Sequence, residues 1–261
     1  KTNNEIMLKK FDLGLLNGKV FTGNTFEKIS VGIINKKIKA LDKISKKDCL
    51  DFIDCNNKVI IPGVIDSQVH FREPGLEHKE NIYSGTKSAL LGGVTTIFEM
   101  PNTSPATINK KELNKKVKIA KATSWTNYAF FIGACKANLH LLSDLEILPG
   151  CAGIKIFMGS STGSLLVSGD KDIEIALKTC NRRVAIHSED EPRLIERFKK
   201  FSKKTGVINH PKWRDKFSAL ISTQKVLKYA NKYKTNAHIL HISTKDEMDI
   251  LKNKKKFITV E

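Results

Sequence analysis

A cluster of polar side chains follows an apolar strand within residues 64–75, which read VIDSQVHFREPG. Side chains alternate along a β-strand, so Asp66, Gln68 and His70 are expected on one face, close to a single point. Carboxylate, amide and imidazole groups can all bind metal ions. A Pro-Gly break then ends the strand, which is typical of a strand end in an active site. The other face is expected to carry Ser67, Val69 and Phe71.

A lysine lies inside a later apolar segment, residues 153–159. An unpaired ammonium buried in such a strand would be costly, which marks Lys155 as a candidate site residue. The alternative is that the long side chain extends to the rim of the fold and keeps its charge in water.

Two more apolar segments end in histidines, His187 and His241. A single histidine in a strand is often a hydrogen-bonded core residue. Here, however, His70, Lys155 and both histidines lie at the ends of successive predicted strands, which favours one shared site. His238 lies three residues before His241 and is expected to point to the other face and to pack there.

A serine motif offers a competing chemistry. Residues 159–163 read GSSTG and fit Gly-x-Ser-x-Gly, the nucleophile elbow of α/β hydrolases. An elbow leads directly into a helix, whereas the stretch up to Gly169 has the composition of a loop. We therefore interpret the motif as a loop near the mouth of the site.

The pattern of predicted strands and helices changes after Pro62 and Gly63. Short alternating segments within residues 11–61, separated by turn residues, predict a small antiparallel β module, part of a β-sandwich domain over residues 1–62. Residues 63–261 instead alternate between strand and helix patterns. Strands are predicted over 64–71, 94–100, 126–133, 152–158, 183–187, 237–242 and 257–261, and helices over 80–91, 109–122, 170–180 and 215–232.

This order of elements predicts an α/β fold, a (β/α)8 TIM barrel that holds its first seven strands here. In such barrels the chemistry lies at the carboxyl ends of the strands, which is where the candidate residues fall. A doubly wound sheet is the alternative, but the first strand is not followed by Gly-x-Gly-x-x-Gly.

The composition narrows the class of protein. The chain has 261 residues, 40% of them hydrophobic, and a net charge of +18, but its 45 basic residues are spread along the sequence without aromatic interleaving. Neither a nucleic-acid partner nor a membrane is therefore expected. The amino-terminal residues lack the apolar core of a signal peptide, and the five cysteines form no Cys-x-x-Cys pair, so a cytoplasmic protein with buried thiols is expected.

Three segments together resemble the amidohydrolase superfamily, and within it the dihydroorotases. Residues 66–75 resemble the family pattern Asp-x-His-x-His-Phe-Arg-Glu-Pro-Gly, except that Gln68 stands in place of the first histidine. Residues 99–103 contain Met-Pro-Asn-Thr, and residues 237–244 are similar to the family's His-Val-Ser-Thr strand end. The resemblance extends from about residue 10 to the end of the chain.

The resemblance implies a metal site. In many relatives the lysine that matches Lys155 is carboxylated, and its carbamate bridges two metal ions. Gln68 is a weaker ligand than imidazole, so its contribution is weak or lost, and one or two Zn²⁺ ions are expected, although Mn²⁺ or Co²⁺ would also suit such ligands. The implied ligands are His70, Lys155, His187 and His241.

The resemblance also implies a substrate site. Arg72 and Asn102 match the residues with which dihydroorotases bind the substrate carboxylate, and a planar guanidinium suits bidentate carboxylate binding. The alternative is a structural arginine paired with Glu73 or Glu99. The family's general-base aspartate lies on an eighth strand, which is expected beyond Glu261, so we expect residues 1–261 alone to be inactive.

Three functions remain open. The first is dihydroorotase, which interconverts dihydroorotate and N-carbamoyl-aspartate in pyrimidine biosynthesis. The second is another cyclic amidase, such as a dihydropyrimidinase, hydantoinase or allantoinase. The third, which Gln68 favours, is a non-catalytic dihydroorotase-like subunit that supports a carbamoyltransferase partner. A homo-oligomer is also possible.

Overall fold

A computed structural model describes the chain over residues 10–160, 165–201 and 206–261. The chain divides into two compact units, the first ending at Gly63 and the second running from Val64 to Glu261. Each unit has its own sheets and its own apolar core.

Over residues 10–63, the first unit consists of short strands and one 3-10 turn. In its described residues the strands form two sheets, ordered β5-β4-β1-β6 and β3-β2-β7. The β1–β6 and β2–β7 pairs are parallel, so the expectation of a purely antiparallel module is wrong. Parallel partners need a long connection, which hairpin signals do not report. The elements are β1 (Phe11–Leu16), β2 (Lys19–Phe21), β3 (Phe26–Lys28), β4 (Ser30–Ile34), β5 (Lys37–Asp42), a 3-10 turn (Lys46–Asp48), β6 (Cys49–Asp54) and β7 (Val59–Ile60).

The second unit is built on a curled parallel sheet. Within the described ranges the sheet has seven strands, and each pairs in parallel with the next along the chain. This is the arrangement of an incomplete (β/α)8 barrel, so the predicted fold class is confirmed. The strands are β8 (Val64–Val69), β9 (Val94–Glu99), β10 (Asn127–Gly133), β11 (Cys151–Phe157), β12 (Val184–His187), β13 (Ala237–Ile239) and β14 (Ile258–Val260).

The helices of this unit begin at polar capping residues. The side chains of Asn81, Asp190 and Asp215 each accept a hydrogen bond from a backbone N–H in the first turn of the helix that follows. The described helices are α1 (Ile82–Leu91), α2 (Lys110–Thr123), α3 (Leu142–Leu145), α4 (Asp170–Thr179), α5 (Glu191–Lys200), α6 (His210–Trp213), α7 (Lys216–Tyr233) and α8 (Lys245–Leu251). Two 3-10 turns cover Leu139–Leu141 and Val207–Asn209.

The two faces of the curled sheet have different surroundings. One face, with Ile154 and Ile186, packs against helix residues such as Leu113 and Val226 in the main core. Along a strand the next side chains point the opposite way, and Ala185 belongs to a smaller apolar cluster on that face.

That second face lines a cavity of about 410 Å³, and two polar residues lie there against expectation. Ser67 lines the cavity because the pairing register between β8 and β9 shifts between Asp66 and Val69, which breaks the strict alternation. His238 lines the cavity too, and its Nδ1 lies 2.8 Å from Oγ1 of Thr259. It is therefore a hydrogen-bonded cavity residue, not one that packs in the apolar layer.

Four of the five cysteines are buried, and Cys135 is partly exposed. No helix in the described part of the chain is long and apolar enough to cross a membrane.

Candidate active site

The predicted site residues fall along one edge of the parallel sheet. His70 follows β8 directly, Asn102 follows β9, and Lys155 lies in β11. His187 is the last residue of β12, and His241 lies two residues after β13. Because parallel strands present their carboxyl ends at one edge, all five belong to the edge where barrel enzymes bind their substrates.

Two histidines face each other at this edge, and we call them the histidine pair. Nδ1 of His187 lies 3.1 Å from Nε2 of His241. Burial, followed by the charges of His187 and Lys155, lowers the pKa of His241 to about 4, so this imidazole is neutral at pH 7. His241 has a φ of 42°, a left-handed conformation that is costly for a histidine and that also explains why β13 ends at Ile239.

A carboxylate and an arginine support the histidine pair from outside. Nε2 of His187 lies 2.6 Å from Oε2 of Glu189, and Nε of Arg214 donates to Oε1 of Glu189 at 3.0 Å. Burial raises the pKa of Glu189, but hydrogen bonds from His187 and Arg214 outweigh it and lower the value to about 2. Since a carboxylate only accepts, Nε2 of His187 donates to Glu189, and the ring is held with Nδ1 directed towards His241.

The support from Glu189 and Arg214 was missed by sequence reasoning. Glu189 lies two residues after His187, a spacing that could have indicated it. Arg214 is 25 residues further along the chain, and only the fold brings it to Glu189. Together these four residues line a cavity of about 320 Å³.

A second group, which we call the arginine cluster, consists of His70, Arg72 and Asn102. Nδ1 of His70 lies 3.0 Å from Oδ1 of Asn102, and Nη1 of Arg72 donates to the backbone carbonyl of Asn102 at 3.2 Å. An amide oxygen only accepts, so Nδ1 of His70 carries the proton and Nε2 carries the lone pair. Burial, then the charges of Arg72 and Lys155, lowers the pKa of His70 to about 4.

The two glutamates considered as structural partners of Arg72 have other contacts. Glu73 accepts the backbone N–H of Ile82 at 2.7 Å, at the start of α1. Glu99 accepts the backbone N–H of Arg72 at 3.1 Å, but among the described residues no ion pair joins either glutamate to the guanidinium. Among the described residues, the guanidinium of Arg72 is therefore not ion-paired with either of these carboxylates.

Lys155 is buried inside β11, with 1% of its surface exposed. Its ammonium therefore does not extend to the rim. Burial lowers the pKa of Lys155 to about 7, although the charge of Glu261 opposes the shift. The Nζ atom lies 4.7 Å from the ring centroid of Phe157. Because its charge acts on both His70 and His241, Lys155 lies within electrostatic reach of both halves of the site.

The fit of these residues to a metal ion is uneven. Nitrogen atoms bound to one tetrahedral zinc ion lie about 3.3 Å apart, close to the 3.1 Å in the histidine pair. Across the described ranges, however, no three His, Cys, Asp or Glu side chains are arranged to hold a metal ion. Gln68 is partly exposed, and its backbone N–H donates to Asp66 at 3.0 Å. The histidine pair is thus the part of the predicted ligand set that best fits zinc.

The competing serine motif lies partly outside the described residues, since residues 161–163 are not among them. Ser160 is described, and its backbone N–H donates to Oε2 of Glu191 at 2.5 Å. Its carbonyl accepts a hydrogen bond from Arg214 at 2.8 Å. The contact with Arg214 connects Ser160, three residues after β11, to the support of the histidine pair.

The curled parallel sheet thus carries histidines and one buried lysine at the carboxyl ends of its strands, the edge at which (β/α)8 barrels have their sites. Solved structures agree on this fold. The L-hydantoinase (dihydropyrimidinase) of Arthrobacter aurescens matches with a TM-score of 0.85 at 22% identity, over 92% of this chain and 55% of that one. A D-hydantoinase (dihydropyrimidinase) of Thermus sp. matches with a TM-score of 0.80 at 20% identity, over 95% and 57%.

Sequence comparisons are more specific. The profile of a family described as dihydro-orotase-like matches residues 57–135. The dihydroorotase of Methanosphaera stadtmanae is 33% identical over 89% of this chain and 53% of its own length. That of Pyrococcus horikoshii is 33% identical over 89% and 50%. The chain spans about half the length of these curated relatives, and over that half it is similar to dihydroorotases.

Proposed function

We propose that the protein is a dihydroorotase, which opens and closes the cyclic amide that relates dihydroorotate to N-carbamoyl-aspartate. The observation that carries the proposal is the arginine cluster. Dihydroorotate has a carboxylate that hydantoin and dihydrouracil lack. Arg72 places a guanidinium at the site edge beside His70, and within the described part of the chain no carboxylate forms an ion pair with it. The similarity to curated dihydroorotases supports the same conclusion.

The histidine pair and Lys155 are proposed to hold zinc. When bound, a zinc ion activates water and polarises an amide carbonyl, the chemistry that hydrolysis of a cyclic amide needs. Glu189 fixes the orientation of His187 so that its Nδ1 stays directed at the site. The lowered pKa of Lys155 leaves much of its amine neutral at pH 7, and a neutral amine can combine with carbon dioxide to give a carbamate and a proton.

In the proposed site the arginine cluster orients the substrate. Arg72 binds the ring carboxylate through two parallel hydrogen bonds, which fixes the direction of the scissile amide relative to the histidine pair. Asn102 holds the guanidinium through its carbonyl and the imidazole of His70 through its side chain. Substrate orientation is thus assigned to residues that follow β8 and β9.

Kinetics with two substrates test the proposal. The full-length protein, purified with zinc, is assayed with dihydroorotate and with dihydrouracil, which differ in the carboxylate. We expect kcat/KM to favour dihydroorotate by roughly 100-fold or more, the value of a buried charge-assisted contact. A preference for dihydrouracil contradicts the assignment and supports a dihydropyrimidinase.

A non-catalytic dihydroorotase-like subunit is the second candidate, and Gln68 is the observation that favours it. Such a protein would have lost its metal and would support a carbamoyltransferase. A purified wild type with no bound metal and no activity towards either substrate would select this function.

A further inference from the structure

A buried ion pair lies directly beneath the arginine cluster. Glu99, the last residue of β9, pairs with Lys116 of α2, and their side chains are 1% and 0% exposed. Burial raises the pKa of Glu99 and lowers that of Lys116, while the charge of each residue opposes the shift of the other. Because desolvation offsets much of the attraction in such a pair, stability alone is a weak reason for its presence.

Both members of this buried pair also bind the backbone of the site. Oε1 of Glu99 accepts the N–H of Arg72 at 3.1 Å, and Nζ of Lys116 donates to the carbonyl of Met100 at 3.0 Å. Arg72 has a φ of 76°, a left-handed conformation that costs energy in any residue with a side chain. The bond from Glu99 holds Arg72 in this conformation.

The two bonds act on the chain segments that carry the arginine cluster. Arg72 lies three residues after β8, and Met100 is two residues before Asn102. The guanidinium of Arg72 meets the carbonyl of Asn102, so the position of each segment affects the other. One buried pair therefore fixes both ends of the contact that orients the guanidinium.

We propose that Glu99 and Lys116 are positioning residues that set the specificity of this site for ring substrates carrying a carboxylate. They do not touch the substrate. They hold the backbone at Arg72 and Met100 so that the guanidinium is already oriented when the carboxylate arrives, and a displacement of about 1 Å at such a group can cost up to about 100-fold. The inference rests on the proposed function and assigns its specificity to residues below the site.

Two double variants of the full-length protein test this role. Glu99→Leu with Lys116→Met removes both charges and both backbone bonds while keeping the volume, a replacement that buried ion pairs often tolerate. We expect the KM for dihydroorotate to rise about 10- to 100-fold, with kcat and the kcat/KM for dihydrouracil nearly unchanged. Glu99→Gln with Lys116→Met keeps an oxygen that can accept the Arg72 N–H, and it should recover most of the affinity.

A matched control separates position from stability. Glu146 is also fully buried and accepts the backbone N–H groups of Asn181 and Arg182, before β12 and away from the arginine cluster. Glu146→Gln should lower the melting temperature without changing the KM for dihydroorotate. If the Glu99–Lys116 pair were purely structural, its double variants would only lower the melting temperature, as the control does, or would affect both substrates equally.

The outcomes distinguish this inference from the proposed function. If the wild type prefers dihydroorotate and neither double variant changes the KM, the positioning role is wrong and the function stands. If the glutamine variant folds but shows the full KM defect of the leucine variant, the bond to Arg72 is not the cause, and the inference fails. A wild type that prefers dihydrouracil overturns both.

Discussion

The histidine pair and the arginine cluster both contain histidines at the carboxyl ends of sheet strands, but the partners of the imidazoles differ. His187 is backed by a carboxylate, so its Nδ1 faces the second imidazole at 3.1 Å. His70 is turned to the amide of Asn102, and a guanidinium lies beside it. Two converging imidazole nitrogens suit a metal cation, whereas a guanidinium suits an anion. The partner of each histidine, more than the histidine itself, indicates its role.

The largest expected effect comes from removing the histidine pair. His187→Ala combined with His241→Ala should abolish stoichiometric zinc binding and lower kcat/KM by about a thousandfold or more, since metal catalysis contributes several kcal/mol. Elemental analysis of the purified protein and steady-state kinetics measure the two effects. The control is His210→Ala, since His210 lies in α6 outside the site. Unchanged zinc content in the double variant would show that the ion is held elsewhere.

A smaller effect is expected at the arginine cluster. Arg72→Met keeps the apolar stem and removes the guanidinium, so transition-state binding of dihydroorotate should weaken by about 2–4 kcal/mol, roughly 30- to 1,000-fold in kcat/KM. Zinc content should not change. Arg197→Met in α5 is the control, since this arginine pairs with Asp215 instead of lining the cluster. An Arg72→Met variant that handles dihydroorotate as the wild type does would remove the arginine from the substrate site.

The smallest effect concerns Gln68, which weakens the metal-binding capacity of the strand end that carries His70. An amide oxygen is a poorer zinc ligand than imidazole, so the wild type should bind one ion tightly and a second weakly or not at all. Gln68→His should raise the zinc content from about one towards about two ions per chain. A zinc titration of the wild type that shows two ions bound with equal affinity would contradict the expected difference between the two metal positions.

Much of the second unit could be predicted because its strands and helices have clear hydrophobic patterns. Lys155 in β11 and His187 at the end of β12 follow from pattern and spacing alone. Local irregularities could not be predicted. The register shift at β8 brings Ser67 to the cavity, and the left-handed backbone of His241 ends β13 three residues earlier than expected.

Contacts between distant parts of the chain were also beyond prediction. Arg214 reaches Glu189, and Lys116 reaches Glu99, only through the packing of helices on the sheet. In the sequence, Arg214 and Lys116 do not differ by type or spacing from the many basic residues on the surface. The first unit shows the same limit, since the parallel partner of β1 lies more than 30 residues away in β6.

A crystal structure of the zinc-loaded full-length protein with dihydroorotate bound tests the central claim most directly. The claim is that the histidine pair binds the metal and the arginine cluster binds the substrate carboxylate. We predict a zinc ion about 2.1 Å from Nδ1 of His187 and from Nε2 of His241, with the substrate carboxylate on the guanidinium of Arg72. A zinc ion bound away from the histidine pair, or a carboxylate directed away from Arg72, would contradict the account.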